Sequence, residues 1–343
     1  MNTSEYGIYT YTDSEYDDNT SVPSQESFHG RMVLSSFLYV LFSLGLLGNV
    51  IVLWMLLRHM KLKTMTDVCL LNLALSDLIL ALSLPLWAYN FPSLESCKVM
   101  TGVYQLGLYS GTLFVTLMSM DRYLAIVHAV AAMKSRSLCY GIIASIIIWV
   151  FSIIMAIPQV IFASVEIDVE TNSSFKCQPK YPYDSIRFWK IFRNVSENFI
   201  NLFVCLPIMM FCYLSILIVV SRTRNSKKGR AMKLIFTIVC VFVVCWVPYN
   251  LTVFFQTLQM FDILNTREHF DNVSAAMSVC EIIALAHCCV NPVIYAFVGE
   301  KFRKSVRKVL MKYLCWSDQR RWASGLRDTT DKETSNTPVR SDY

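Results

Sequence analysis

Seven runs of predominantly apolar residues, roughly at 33–58, 67–90, 99–127, 140–162, 195–221, 232–258 and 273–298, occupy most of this 343-residue chain. A helix needs about 20 apolar residues to cross the ~30 Å hydrocarbon core of a bilayer. Each run is long enough. A helix on a soluble protein shows one apolar stripe, whereas these runs are apolar nearly all round. Charged residues make up only 16% of the chain, against about 25% in soluble domains. The expected fold class is an all-α membrane protein: a seven-transmembrane helix bundle over residues 31–299, with no room for a second domain. Residues 1–30 hold no apolar run, so no secretory signal peptide is expected there.

Charge orients the bundle. Residues 1–30 contain six acids (Glu5, Asp13, Glu15, Asp17, Asp18 and Glu26) and no Lys or Arg. Arg58, Lys61 and Lys63 lie between the first two runs, and Lys134 and Arg136 between the third and fourth. Arg222, Arg224, Lys227, Lys228, Arg230 and Lys233 lie between the fifth and sixth; Lys301, Arg303, Lys304, Arg307 and Lys308 follow the seventh. The positive-inside rule puts these clusters in the cytoplasm and the acidic tail outside. The expected location is therefore the plasma membrane, multi-pass, with an extracellular N-terminus. The bases track one membrane face, so no nucleic-acid partner is expected.

Cysteines test that orientation. Of 12, only Cys97 and Cys177 fall outside the runs on the outer side. That side is oxidising, so a bridge is expected between them. It would tie the second outer loop over the bundle. At 1.5 Å per residue, one helix from Cys97 to Arg122 covers about 37 Å. Asn2, Asn19 and Asn172 begin N-x-S/T glycosylation triplets on the same side. Asn250 begins another, but inside a span, where no glycan can be added.

Several polar residues sit where hydrocarbon makes them costly. They include Asp121-Arg122-Tyr123 at the end of the third run, Gly48-Asn49-Val50 in the first, and Asn72 to Leu78, with Asp77 at mid-span, in the second. Cys245-Trp246-Val247-Pro248-Tyr249 lies in the sixth and Asn291-Pro292-Val293-Ile294-Tyr295 in the seventh. Asp77 needs partners, and Asn49 and Asn291 would supply a polar core able to hold an ion such as sodium. A buried network that only holds the bundle together is the alternative. Pro158, Pro207, Pro248 and Pro292 each remove a backbone donor and bend a helix.

These motifs resemble the class A (rhodopsin-like) G-protein-coupled receptors, over about residues 31–312. The stretch Asp121-Arg122-Tyr123-Leu124-Ala125-Ile126-Val127-His128-Ala129-Val130 is similar to the chemokine-receptor version of that triplet. So are His287-Cys288-Cys289-Val290-Asn291-Pro292 and Phe297-Val298-Gly299-Glu300-Lys301-Phe302-Arg303, and the CC or XC branch looks closest. There are departures. Neither 1–30 nor 259–272 has a Cys, so the second outer disulfide usual in that family has lost both partners. The usual Trp-x-Phe-Gly of the first outer loop is replaced by Asn90-Phe91-Pro92-Ser93. Ser83-Leu84-Pro85 stands for Thr-x-Pro, and Pro207 lies about two residues closer to Tyr213 than the family pattern.

The resemblance implies a chemokine receptor coupled to a Gi-type G protein, driving calcium mobilisation and leukocyte chemotaxis. Tyr6, Tyr9, Tyr11 and Tyr16 interleave with acids including Asp17 and Asp18. Too polar to bury a core, residues 1–30 read as a disordered capture arm for a basic chemokine; the family implies tyrosine sulfation. Glu281, ten residues before Asn291, is the expected second anchor, able to pair with a ligand's amino terminus. Trp87, Tyr104, Tyr109 and Tyr249 would line the pocket if they face inward. Arg122, Tyr213 and Tyr295 form the expected switch, with Trp246 and Pro248 as the bend above them. Arg122 should pair with Asp121 at rest.

Residues 300–313 alternate basic and apolar side chains (Phe302, Val306, Val309, Leu310), as an interfacial amphipathic eighth helix would. Cys315 beyond it is a palmitoylation candidate. Residues 314–343 read as a disordered cytoplasmic tail, rich in Ser and Thr. Once phosphorylated by receptor kinases, it would recruit arrestin. Three other classes compete. A scavenger would bind chemokine without coupling, and the intact Asp121-to-Val127 stretch argues against it. A receptor for another peptide ligand would keep the same bundle. A transporter or channel would show internal repeats and several charges along a path, and neither is seen. No nucleophile–base spacing or metal-ligand pattern suggests an enzyme.

Overall fold

The computed structural model describes residues 25–60, 62–88, 93–128, 138–167, 175–221, 226–261, 267–298 and 302–311. Seven long helices form a bundle. They are α1 (Gln25–Arg58), α2 (Met65–Ala88), α3 (Leu94–Val127), α4 (Leu138–Phe162), a composite α5, α6 (Ser226–Met260) and α7 (Arg267–Val298). Helix α5 joins an α-helical segment, Ile186–Asn198, to a π-helical one, Phe199–Cys205, and a second α-helical one, Leu206–Ser221. A short α8 covers residues 302–311.

Six of the seven, all but α3, are long and apolar enough by themselves to cross a membrane. Helix α3 has the length, at 34 residues, but a more polar surface. The reason is its place. It packs against α2, α4, α5 and α6, so its small and polar residues, among them Gly107, Ser110, Thr112, Thr116 and Ser119, face protein and not lipid. Helix α4 is the opposite case. Ile146, Ile147, Ile154 and Ile161 point outward, each more than half exposed, as a lipid-facing surface requires.

Local sequence explains the helix ends and bends. Thr64 and Asp67 start α2 with a capping box: Asp67 Oδ2 accepts from the Thr64 hydroxyl at 2.8 Å and from the Thr64 and Lys63 amides, while the Asp67 amide donates back to Thr64 Oγ1. Pro207 has no amide hydrogen to give, and the wide π turn of α5 ends immediately before it. Pro85, Pro158, Pro248 and Pro292 lie inside α2, α4, α6 and α7.

Between α4 and α5 lies an antiparallel hairpin of β1 (Ala163–Ile167) and β2 (Phe175–Pro179), with Val165 opposite Cys177. The Cys97–Cys177 disulfide ties β2 to the start of α3, as the sequence led one to expect. Helix α8 is amphipathic: Phe302, Val306 and Val309 are half-buried, while Arg303, Lys304, Arg307 and Lys308 are exposed. Leu310 is exposed.

Close helix contacts depend on two glycines. A Cβ on Gly107 would lie 2.9–3.1 Å from the backbone and Cβ of Leu80 on α2, and one on Gly48 would lie 2.9 Å from the Pro292 ring on α7. Small residues let membrane helices approach this closely. Gly107→Ala must push backbone apart, so we expect it to cost about 1–3 kcal/mol, read as a lower melting temperature of the detergent-solubilised receptor. An unchanged melting temperature would mean that α2 and α3 pack less rigidly than described.

Candidate functional site

Polar side chains gather inside the bundle at three depths. At the disulfide end, Tyr104 and Tyr109 of α3 and Tyr249 of α6 are buried, and Glu281 of α7 is half-buried. Polar interactions link Glu281 to Tyr104, and Tyr104 to Tyr249. The expected pocket aromatics therefore meet, apart from Trp87, which lies where only the α2 backbone is described. Two charged residues that sequence reading passed over join them. Glu197 of α5, 3% exposed, interacts with Tyr249, and Arg193, one turn earlier, acts electrostatically on both Glu197 and Glu281. Tyr109 meets Ser196 on the same helix. Outside the spans, Tyr181 stacks edge-on against Phe162 at 5.1 Å. Burial raises its phenol above the ordinary value and the nearby Arg193 opposes that shift, so Tyr181 stays a neutral donor at the rim.

The middle layer connects this cluster downward. The Tyr249 and Trp246 rings lie 5.9 Å apart, edge to face, and Trp246 in turn meets Phe242 at 6.1 Å and His287 at 6.3 Å. Pro248 lies between Trp246 and Tyr249 in the same helix. Asn291 Nδ2 donates to Asp77 Oδ2 at 2.6 Å, and His287 Nδ1 lies 3.8 Å from Asp77 Oδ1. Asn49 does not touch Asp77. Its amide donates to the Gly45 and Cys288 carbonyls, both at 2.9 Å, clamping α1 to α7. The carbonyl oxygens of Asn49 and Asn291 are buried without partners among the described residues. The Asp77 carboxylate and the Asn291 oxygen beside it are the kind of hard oxygen ligands a sodium ion takes, so these two residues fit that ion.

His287 carried a signal that went unread: it lies four residues before Asn291, hence on the same helix face. Asn250, whose triplet was expected inside a span and without a glycan, is buried there and donates to the Trp246 carbonyl at 2.8 Å.

At the far end, Arg122 Nη2 pairs with Asp121 Oδ2 at 3.1 Å, and the Thr66 hydroxyl of α2 donates to the same carboxylate. Asp121 is fully buried and Arg122 half-buried. Tyr213 of α5 is buried beside Ser119 and Arg122, its ring 5.9 Å from Phe236 of α6. Tyr295 of α7 is buried, 6.3 Å from Phe302 of α8. Pro292 is buried against Gly48. Tyr123 turns away from the ion pair: its hydroxyl meets His128 Nε2 at 3.1 Å and its ring meets Phe211 at 5.5 Å. Tyr6, Tyr9, Tyr11, Tyr16, Asp17, Asp18, Asn2, Asn19, Asn172 and Cys315 lie outside the described residues.

Residues 48–295 match the family model described as 7 transmembrane receptor (rhodopsin family). The chain is 39% identical over 308 residues to the human (Homo sapiens) C-C chemokine receptor type 1, an alignment covering 87% of this chain and 86% of that protein. These are receptors and not enzymes. The matched region runs from the Gly48–Pro292 contact to Tyr295 and takes in all three polar layers; the chain belongs to the rhodopsin family of seven-transmembrane, G-protein-coupled receptors, and within it to the chemokine receptors.

Proposed function

We propose that this chain is a plasma-membrane receptor whose acidic N-terminus and disulfide end face outward. There it binds a basic chemokine. Its Arg122 end faces the cytoplasm and activates a Gi-type G protein, driving calcium mobilisation and leukocyte chemotaxis. The observation that carries this is a continuous line of buried side chains. It runs from Glu281 through Tyr104, Tyr249 and Trp246 toward a closed Asp121–Arg122 pair. A ligand cation at Glu281 disturbs Tyr104 and Tyr249, and hence Trp246, beside which Pro248 lets α6 bend. Arg122, Tyr213 and Tyr295 then become the contact surface for the G protein. The capture arm, the glycans at Asn2, Asn19 and Asn172, the lipid at Cys315, and the receptor kinases and arrestin at residues 314–343 complete the reading. Bound at Asp77, a sodium ion would supply positive charge that favours the resting bundle.

A panel of purified chemokines, applied to transfected cells and read by G-protein activation and internalisation, tests this. One or a few members should activate; a silent panel would contradict the reading. Deleting residues 1–18 should lower affinity for the activating chemokine by about tenfold, and raised salt should mimic part of the loss, because long-range attraction is screened. Unchanged binding at equal expression would reject the capture arm. Glu281→Gln keeps shape and removes charge. It should cut potency in G-protein activation about tenfold or more, as loss of a charged hydrogen bond does, while binding falls less because the arm still captures. Equal potency and efficacy would reject Glu281 as the activation contact.

A further inference from the structure

Helix α5 carries an inward stripe that the reading above does not use. Arg193, Glu197 and Asn201 are spaced four residues apart, so they stack on one face. Glu197 is 3% and Asn201 4% exposed. A buried carboxylate inside a membrane bundle is costly unless a partner stabilises it. Among the described residues Glu197 forms no ion pair; its polar partner is the neutral Tyr249. Arg193 acts on it from a distance, while its Nε donates to Asn194 Oδ1 at 3.3 Å. Glu197 Oε1 has no hydrogen-bond partner, and neither do both amide atoms of Asn201, one turn deeper. Asn198, between them in sequence, is buried with both amide atoms unpartnered as well. A carboxylate with unpartnered amide oxygens is a set of acceptors suited to a cation with several N–H groups, such as an ammonium or a guanidinium.

The second acid is not redundant with the first. Glu281 lies on α7 with Tyr104, and Glu197 on α5 with Tyr249. The two acids repel one another, and a single cation, Arg193, acts on both. The pocket therefore offers two carboxyl positions, one on α5 and one on α7, bridged by the Tyr104–Tyr249 contact.

We propose that Glu197 is a second cation-binding position, with Asn201 beneath it, and that the pocket selects ligand segments carrying two cationic groups: a terminal amine at Glu281 and a Lys or Arg side chain at Glu197. This rests on the reading of Glu281 as the ligand anchor. It makes Glu197 a specificity residue for the entering segment, coupled through Tyr249 to Trp246.

The probes are synthetic pentapeptides of one neutral sequence with a free amino terminus, carrying either arginine or its uncharged isostere citrulline at an internal position. The readout is thermal stabilisation of the purified full-length receptor. In the wild type, the arginine peptide should reach half-maximal stabilisation at a concentration about tenfold lower than the citrulline peptide, the scale of one charged hydrogen bond. Glu197→Gln should erase that preference, so that the two peptides reach half-maximal stabilisation within about twofold of each other. Glu281→Gln should weaken both peptides. If Glu197→Gln does not fold, Glu197→Asp, which keeps the charge on a shorter arm, should reduce the preference by about threefold. A wild type indifferent to arginine versus citrulline, or a Glu197 variant with the full preference, overturns the proposal. A silent chemokine panel with the arginine preference intact would reject the chemokine reading and leave this one standing.

Discussion

Arg122→Ala is expected to abolish G-protein activation, by at least about a hundredfold in nucleotide-exchange rate, while binding of the activating chemokine at the cell surface stays within about threefold. Arg122 ends the long α3 at the pole opposite the disulfide, so it cannot touch a ligand near Glu281. Its 3.1 Å pair holds the buried Asp121 carboxylate, and Thr66 fixes the same carboxylate from α2. Ligand shifts the balance only by binding the open arrangement more tightly than the closed one. When α6 swings outward, Arg122 is the cation freed for the G protein. Removing it also leaves Asp121 buried without its counter-charge, which costs stability. The assay must therefore compare equal amounts of surface receptor. A variant signalling at wild-type efficacy would mean that Arg122 only neutralises Asp121.

Cys97→Ser has the second-largest expected effect. The bond closes a sequence separation of 80 residues. In the chain-entropy account a loop of that length contributes roughly 4–5 kcal/mol. The bond also anchors the β1–β2 hairpin over the start of α3, close to Tyr181 and Arg193 and hence to the pocket. Surface expression or chemokine binding should fall by more than tenfold, with Cys177→Ser giving the same loss and the double variant no more. A single variant that binds normally at normal expression would show that the hairpin is held by other contacts.

The helices were legible in sequence because each apolar run exceeds the length a bilayer demands, and the Cys97–Cys177 disulfide followed from the two cysteines left outside the runs. The limits of the runs were less legible. Helices α1, α5 and α7 begin at Gln25, Ile186 and Arg267, ahead of the apolar runs, because helical hydrogen bonding continues through polar turns beyond the hydrocarbon. Helix α1 thus begins inside the segment read as tail. The β1–β2 hairpin gave no apolar signal, since it lies outside the spans. The pocket was half legible. Tyr104, Tyr109, Tyr249 and Glu281 stood out by residue type. Glu197 did not, because it lies two residues inside a run whose start was drawn at 195, and only the four-residue spacing of Arg193, Glu197 and Asn201 places it on the inner face. Asn49 was expected beside Asp77 but clamps α1 to α7 through backbone carbonyls, while His287 takes the place near Asp77. Which neighbour a buried amide chooses depends on helix rotation, and one sequence does not state it.

The central claim is that chemokine binding at one end is converted to G-protein activation at the other. The most direct test reconstitutes the full-length receptor in lipid nanodiscs with a Gi-type heterotrimer and measures GTP exchange with and without the activating chemokine. The account predicts exchange at least about tenfold faster with chemokine, and no such gain for Arg122→Ala under saturating binding. Chemokine bound at high affinity with no gain in exchange by the wild type would contradict it, and would make the chain a receptor that captures its ligand without signalling.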